Sequence, residues 1–435
     1  MAKKVSLEDI VSLCKRRGFI YQGSEVFGGL AGTWDFGPLG VELKRNIIHL
    51  WWKMFVEERD DMYGLDSAIL MNQKVWQASD HVSVFNDPMT ECAKCNARFR
   101  ADHVDFASPC PNCGAKDSFS AAREFNMLFK TNVGPIEDEE SISYLRPETA
   151  QGIFTNYKNV VDSFYPDVPF GMAQMGKVFR NEISPRDFVF RSREFGQMEI
   201  EYFIHPDNWK KEFDKWVKDI YKFLKKLGLP DSSIHELEVP EKDRAHYSKR
   251  TIDFEFDFPH KRDELLGLAY RTDFDLSNIA KATGKNMEYR PKDGSKPFVP
   301  HVIEPSFGLE RTIMAVLISA YREDTVDGEK RVYLDLPEHL APIRYAVCPL
   351  ARNKPELVKT ARTIYEDLRR KHRGRVLWID SGNIGKNYRK MDEIGVPEVI
   401  TVDFETLENN DVTIRDRNST KQRRELLSNM LKGDK

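Results

Sequence analysis

Met172-Ala-Gln-Met-Gly-Lys-Val-Phe-Arg-Asn-Glu182 and Glu194-Phe-Gly-Gln-Met-Glu-Ile-Glu-Tyr-Phe203 are two strand-like runs with a basic connection between them. Ile183-Ser-Pro-Arg-Asp187 cannot extend the first run, because Pro185 has no N–H to give to a ladder. The pair therefore reads as antiparallel. Alternation puts Arg180 and Glu182 on one face of the first strand, and Phe195, Gln197, Glu199 and Glu201 on one face of the second. The connection adds Arg186, Arg191 and Arg193. A core strand would not carry so many charges on one side, since buried unpaired charge is costly. The plainer alternative is the solvated face of a one-sided antiparallel sheet. Arginine forks suit phosphate, and a flat ring suits a nucleotide base.

A second group lies downstream, in Glu304-Pro-Ser-Phe-Gly-Leu-Glu-Arg311, followed by the apolar run Thr312 to Ala320. Gly308 permits close backbone approach where strand meets helix. Arg311 then falls in the first helical turn, free to aim at a phosphate or a base, or else to make a salt bridge on a buried helix. Upstream, Phe27-Gly-Gly-Leu-Ala-Gly-Thr-Trp-Asp-Phe-Gly-Pro-Leu-Gly40 lacks the spacing of the familiar phosphate loops. Pro38 opens a helix whose apolar face carries Leu39, Leu43, Ile47, Leu50, Trp51, Met54 and Phe55. Adjacent Trp51 and Trp52 cannot both sit at the centre of one helix face. They mark either core plus edge or a subunit interface. Further helices are expected over Leu7 to Arg17, stopped by Gly18, and over Asn208 to Leu227. The second has Asp207 as N-cap and Gly228 beyond its end.

Four of six cysteines are grouped as Cys92-x2-Cys95 and Cys110-x2-Cys113. Two such knuckles supply the four thiolates that tetrahedral Zn²⁺ prefers, so a structural zinc ribbon is expected over 89–119, as an insertion. A degenerate ribbon without metal is the alternative.

The 435 residues carry a net charge of −3, with 31% charged and 40% hydrophobic residues. This is the mix of an ordinary globular protein, not of a disordered or collagenous chain. No run approaches the ~18 apolar residues of a membrane span. The acidic start at Glu8 and Asp9 is unlike a signal peptide, so a cytoplasmic protein is expected. From Ala341 onward there are 20 Lys and Arg against 14 Asp and Glu, a net of +6 on a body of −9. Strand-like Tyr345–Cys348, Val376–Ile379 and Val399–Val402 alternate there with helix-like Glu356–Arg370 and Tyr388–Ile394. This implies a small, mainly parallel α/β domain over 341–435. A basic module invites a polyanion, with Arg389, Lys390, Arg415 and Arg417 as RNA-contact candidates. Its removal is expected to spare the chemistry of the body.

Taken together, these strings resemble a family. The stretch before Pro38, the segments Phe179–Glu182 and Phe190–Phe195, and Gly308–Arg311 are similar to motifs 1, 2 and 3 of class II aminoacyl-tRNA synthetases. Trp34-Asp-Phe-Gly-Pro-Leu-Gly40, Arg146-Pro-Glu-Thr-Ala-Gln-Gly152, Arg193-Glu-Phe-Gly-Gln-Met-Glu199 and Glu304–Arg311 resemble the homodimeric glycyl-tRNA synthetases across nearly the whole chain. The resemblance implies an α+β catalytic domain over 1–337, an antiparallel sheet flanked by helices, with a C-terminal anticodon-binding domain. It implies ATP-dependent activation of glycine and transfer to tRNA(Gly), with Mg²⁺ accompanying ATP. Arg180 would hold the α-phosphate, Glu182 would face adenine and Phe195 would stack on it. Arg311 would lie opposite or on the γ-phosphate. The same resemblance adds Asn181, Phe190, Arg191, Ser192, Arg193, Glu194, Glu264, Leu265, Gly308, Leu309 and Glu310 to the ATP site. For glycine it implies Arg100, Glu148, Phe195, Gly196, Gln197, Met198, Glu199, Glu304, Pro305, Ser306, Phe307 and Gly308. Two alternatives stay open. One is a class II synthetase for threonine, proline or histidine; the other is a non-catalytic, nucleic-acid-binding relative. The first needs a side-chain site, whereas three glutamates favour the smallest substrate. The second should have lost the arginines that are present here.

Overall fold

The computed structural model describes residues 5–372 and 375–431. Helix α1 spans Leu7–Arg17; Ser6 and Asp9 cap it reciprocally, and Gly18 ends it in the left-handed region at φ 77°. Helix α2 spans Pro38–Trp52 and buries Leu43, Ile47 and Trp51. Trp51 packs against Phe55 and Phe307, with ring centroids 6.0 and 6.1 Å away. Trp52 points elsewhere and covers Gly64, where a Cβ would lie 2.5 Å from the ring. Both indoles are thus accommodated by their own protomer, the second by a glycine that leaves room for it.

Gly64 belongs to β1 (Met62–Leu65), an edge of the seven-stranded sheet that organises the body. The other strands are β2 (Phe170–Phe179), β3 (Glu194–Ile204), β4 (Ile234–Glu238), β5 (Arg250–Asp257), β6 (Arg262–Thr272) and β7 (His301–Gly308). Their order is β4-β5-β6-β7-β3-β2-β1. Every pair is antiparallel except β1 with β2. The expected antiparallel sheet is therefore present. On one face Met198, Ile200, Tyr202, Ile303 and Phe307 join α2, α4 (Trp209–Lys226) and α6 (Leu309–Ala320) in the main core. On the other, Phe170, Met172 and Phe203 pack under α3 (Ala150–Phe164) and α5 (Phe274–Thr283). The functional end of this second face is polar. Helix α4 starts one residue later than its sequence suggests, because Pro206–Asn208 forms a 3₁₀ turn and Asn208, not Asp207, takes the N-cap.

Between β1 and α3 the chain builds a three-stranded sheet from Arg98–Arg100, Asn86–Glu91 and Arg123–Asn126, which carries the cysteines. After α6 come the hairpin strands β8 (Tyr321–Val326) and β9 (Glu329–Leu334). A five-stranded sheet follows, built from β10 (Tyr345–Pro349), β11 (Val376–Trp378), β12 (Glu398–Val402), β13 (Asp411–Asp416) and β14 (Gln422–Leu426). Its order is β11-β10-β12-β13-β14, parallel over the first three and antiparallel over the last two. Helices α7 (Pro355–Lys371) and α8 (Ile384–Glu393) complete the alternation read from sequence. No helix of the described residues is long and apolar enough to cross a membrane.

The two parts share a core. Leu334, Leu336 and Leu340 belong to the same cluster as Ala346, Cys348, Ile379, Met391 and Ile394. Polar contacts reinforce the joint. Arg331, 1% exposed, pairs with Asp324 and Asp392 and donates to the Arg417 carbonyl. Arg415 grips Asp392 through two donors at 2.8 and 2.9 Å. Arg417 donates to the Gly395 and Leu336 carbonyls and to Asp335. Arg389 reaches the Val326 carbonyl and Glu329. Three of the four RNA-contact candidates are thus committed to the joint, Arg415 and Arg417 buried within it, and only Lys390 is exposed.

Candidate active site

Strands β3 and β7 lie side by side and deliver the central residues. Glu199 pairs in register with Ser306, and Gln197 with Gly308. Alternation sends Gln197, Glu199 and Glu201 to the polar face, while Met198, Phe307 and then Leu309 turn into the core. Two cavities, about 110 and 270 Å³, share a wall formed by Arg180, Gln197, Glu264 and Ser306.

The smaller cavity is lined by Glu182, Phe190, Arg191, Ser192, Phe195, Leu265, Gly308, Glu310 and Arg311 besides that wall. Arg180 leaves the end of β2. Its Nε donates to the Pro147 carbonyl at 3.1 Å, and its guanidinium lies 5.5 Å from the rings of Phe85 and Phe195. Arg191 faces Glu182 at 3.4 Å. Arg311, in the first turn of α6, lies 4.4 Å over the Phe190 ring and donates to Glu264 Oε2 at 2.9 Å. Arg311 thus makes the salt bridge of the plainer alternative and also borders the cavity.

Several residues expected at the ATP site also bond other parts of the protein. Glu310 accepts from the Gly196 N–H at 2.6 Å and faces Lys44 at 3.4 Å, tying β3 to α2. Arg193 donates to the carbonyls of Glu182 and Ala31. Its own N–H bonds the Gly32 carbonyl. Gly32 sits at φ 76°, and a Cβ there would be 2.7 Å from Pro185, so the glycine-rich stretch holds the connecting loop closely. Glu194 pairs with Lys177 at 2.9 Å. Of the residues expected at ATP, Asn181, Arg193, Glu194 and Leu309 do not line this cavity, and Gly196, expected at glycine, lines neither.

Glu148, Glu199 and Glu304 all line the larger cavity. Glu199 accepts from Thr149 at 2.6 Å, from Gln197 at 2.8 Å and from Ser306 at 2.9 Å. Burial, then the neighbouring Glu148, holds its carboxyl above the ordinary range. Glu304 is raised further by burial, with Glu199 and Glu148 adding and Arg271 opposing. For Glu148, burial works upward, but His81, Arg271 and Arg180 outweigh it and leave the carboxyl lowered. Its Oε2 lies 3.3 Å from His81 Nε2. Carboxylates so crowded form a pocket for a cation. Arg100 is not among them: it pairs with Asp87 at 2.7 Å and with Asp102 at 2.8 Å, outside both cavities. Met198, Pro305 and Phe307 likewise lie outside the cavity lining.

Sequence reasoning missed Arg271, Asp275, His81, Thr149 and Tyr247. Arg271 bonds Asp275 twice and Glu304 once, and stacks 3.6 Å over Tyr247. Thr149 lies within the quoted Arg146–Gly152 string beside Glu148, whereas no quoted string covers His81, Tyr247 or the Arg271–Asp275 pair. Glu201 was placed on the right face by alternation but given no role.

The cysteine sulfurs all lie within 4.8 Å of one another. Cys92–Cys113 and Cys95–Cys110 are each 3.8 Å apart, close to the ~3.8 Å edge of a tetrahedron with Zn–S bonds of about 2.3 Å. Each knuckle closes alike: Asn96 N–H to Cys92 and Gly114 N–H to Cys110, both 2.8 Å. Asn96 and Gly114 both adopt positive φ. The donor set fits zinc.

The model of the tRNA synthetase class II core domain (G, H, P, S and T) matches residues 129–320, and that of an anticodon binding domain matches 345–432. The glycine–tRNA ligase of Thermobifida fusca (strain YX) is 45% identical, over 97% of this chain and 96% of its own. That of Deinococcus radiodurans is 44% identical over 98% and 97%. Among solved structures, Giardia lamblia prolyl-tRNA synthetase in complex with prolyl-adenylate superposes with a TM-score of 0.71 at 16% identity. It covers 99% of this chain and 78% of that one, a likeness of fold alone. Near-full-length identity at this level, on a class II core with an anticodon-binding domain, means that the chain belongs to the glycine–tRNA ligase family.

Proposed function

We infer that the chain activates glycine with ATP and charges its tRNA. The observation that carries this is identity of 44–45% along the whole chain with glycine–tRNA ligases. We assign the smaller cavity to ATP and the carboxylate cluster of the larger to the glycine ammonium. Adenylate formation needs a glycine carboxylate oxygen in line with the α-phosphorus, with pyrophosphate leaving opposite. This demands positioning and charge neutralisation rather than a protein nucleophile. Arg180, on the shared wall, is suited to the α-phosphate. Phe195 and the Arg311–Phe190 pair offer flat faces to adenine. Glu264, half-exposed beside Arg311, is suited to hold Mg²⁺, which supplies charge neutralisation on the phosphates when bound. A β-methyl beside the ammonium-gripping glutamates meets charge rather than an apolar slot, and its rejection is expected to reach at least the ~1–3 kcal/mol of one methylene. Pyrophosphate exchange with each of the twenty amino acids tests the reading. Glycine alone should support it. Exchange with threonine, proline or histidine, or none at all, would overturn it.

We further propose a catalytic domain over 1–337, a zinc ribbon over 89–119 and an anticodon-binding domain over 341–435. One Zn²⁺ per chain is expected by elemental analysis, and Cys110→Ser should lose it and loosen the ribbon. Zinc-free protein as purified, or a variant with full metal, would refute the site. Four free thiols at one site fit a reducing compartment, the cytoplasm. A homodimer is proposed through α2 and the stretch before it, where Val26, Phe27 and Leu30 are exposed at 94%, 93% and 56%. Light scattering at micromolar concentration should give twice the chain mass; a monomer would end the proposal.

A further inference from the structure

Glu201 is wholly buried, and neither carboxylate oxygen has a hydrogen-bond partner among the described residues. One of its oxygens lies within 4.8 Å of an oxygen of Glu199 and one of Glu304. The charged groups that act on it come from three strands and a helix, while the neighbouring β2 sets Met172 beside it. Glu199 is on β3, Glu304 on β7, Arg271 on β6 and Asp275 on α5. Arg271 does not bond Glu201: Nε and Nη2 donate to Asp275 at 2.8 and 2.9 Å, and Nη1 donates to Glu304 at 2.8 Å. Glu199 in turn is satisfied by Thr149, Gln197 and Ser306. Glu201 alone has been left without a donor. An ionised carboxylate in that position, beside two others, is prohibitive; a neutral acid is not.

We propose that Glu201 is the proton-linked carboxyl of the ammonium subsite, holding a proton while the site is empty and releasing it to solvent when the substrate's ammonium enters. The O–H bond of Glu201 breaks and the proton passes to buffer; Glu201 itself lines neither cavity, and the carboxylate left behind is balanced by the ammonium charge held beside it at Glu199 and Glu304, which line the larger one. No other reactant is needed. Burial and the charges of Glu304 and Glu199 hold this carboxyl well above the ordinary range. The proposal rests on assigning the glycine ammonium to this cluster.

Binding that expels one proton tightens as pH rises. Between pH 6 and 8.5 the glycine KM in pyrophosphate exchange should fall by up to ~tenfold per pH unit. In Glu201→Gln, a permanently neutral isostere, that slope should shrink, any remainder belonging to Glu199 and Glu304, whose carboxyls are raised as well. Asp253, in the same cavity, is also raised, to about 7, by burial and then Glu264 and Glu255. Asp253→Asn should therefore keep the glycine slope. A second readout needs no glycine. A carboxyl whose folded pKa is raised binds its proton more tightly folded than unfolded. Stability is then lost as pH rises above the ordinary carboxylate range. The ligand-free enzyme should melt lower at pH 8.5 than at pH 6, and Glu201→Gln should narrow the gap. An undiminished KM slope in Glu201→Gln overturns the proposal. If that variant does not fold, adding glycine to weakly buffered wild-type enzyme should release protons, and no release overturns it equally. A different amino acid in the exchange assay would remove the glycine reading but leave the melting comparison valid.

Discussion

Arg311→Ala should lower glycine-dependent pyrophosphate exchange by at least ~10²–10³-fold, the scale of losing one preorganised charge-stabilising donor, while the protein stays folded. The guanidinium borders the smaller cavity, stacked 4.4 Å over Phe190 and bonded to Glu264. Its side chain is 25% exposed and that of Glu264 is 44% exposed. Such half-wet pairs contribute little to stability, about 0–1 kcal/mol, and truncation returns Glu264 to water rather than stranding it. A residue kept for the fold would show the opposite pattern, a large drop in melting temperature and a mild kinetic effect. Arg311→Lys should rescue little, because an ammonium has neither the plane that stacks on Phe190 nor the fork that meets a phosphate. Wild-type exchange in the alanine variant would remove Arg311 from the chemistry.

Asp392→Ala should be the most destabilising single change at the joint, by roughly 3–5 kcal/mol. Asp392 has no exposed surface and is the shared counterion of Arg331 and Arg415, themselves 1% and 5% exposed. Its loss leaves two guanidiniums buried with one carboxylate, Asp324, between them. Denaturant unfolding measures the effect; a change below about 1 kcal/mol would mean that water reaches the joint. The same geometry revises the expectation for a chain cut at Ala341. That cut uncovers Leu334, Leu336 and Leu340 and leaves Arg331 without Asp392, so the truncated body should melt well below the whole protein. Loss of exchange in such a fragment would report on folding before it reported on RNA.

Strand and helix periodicity made the fold legible. The β2–β3 pairing, the helix entered at Pro38, the start of α6 and the β-α-β-α-β order of the C-terminal part all follow from local pattern. The candidate site was legible where one segment carries several members, as Gln197 and Glu199 on β3 or Glu304 and Ser306 on β7. It was illegible where members converge from afar. His81 reaches Glu148 from a four-residue helix, and Arg271 reaches Glu304 across two strands. Charge misled for a related reason. A sum over residues cannot tell a surface arginine from one spent inside, and Arg415 and Arg417 inflate the apparent basic face of the C-terminal part. Arg100 likewise has local carboxylates, Asp87 and Asp102, that hold it away from the glutamate cluster.

Helix α6 passes into β8 without a single intervening residue, from Ala320 to Tyr321. At one end of this continuous piece stands Arg311, and at the other the hairpin carries Arg331 into its socket of Asp392 and the Arg417 carbonyl. The boundary between body and C-terminal part is therefore not a cassette junction. A chimera spliced after Leu334 would mate one protein's plug with another's socket, and its arginine would meet a stranger's aspartate. A splice that moves Tyr321–Leu334 with the C-terminal part keeps the socket but breaks the rod next to the helix that carries Arg311. Grafting a foreign anticodon-binding unit onto this chain calls for transplanting the hairpin tip, with Asp324 and Arg331, while the strand roots at Tyr321 and Leu334 stay native.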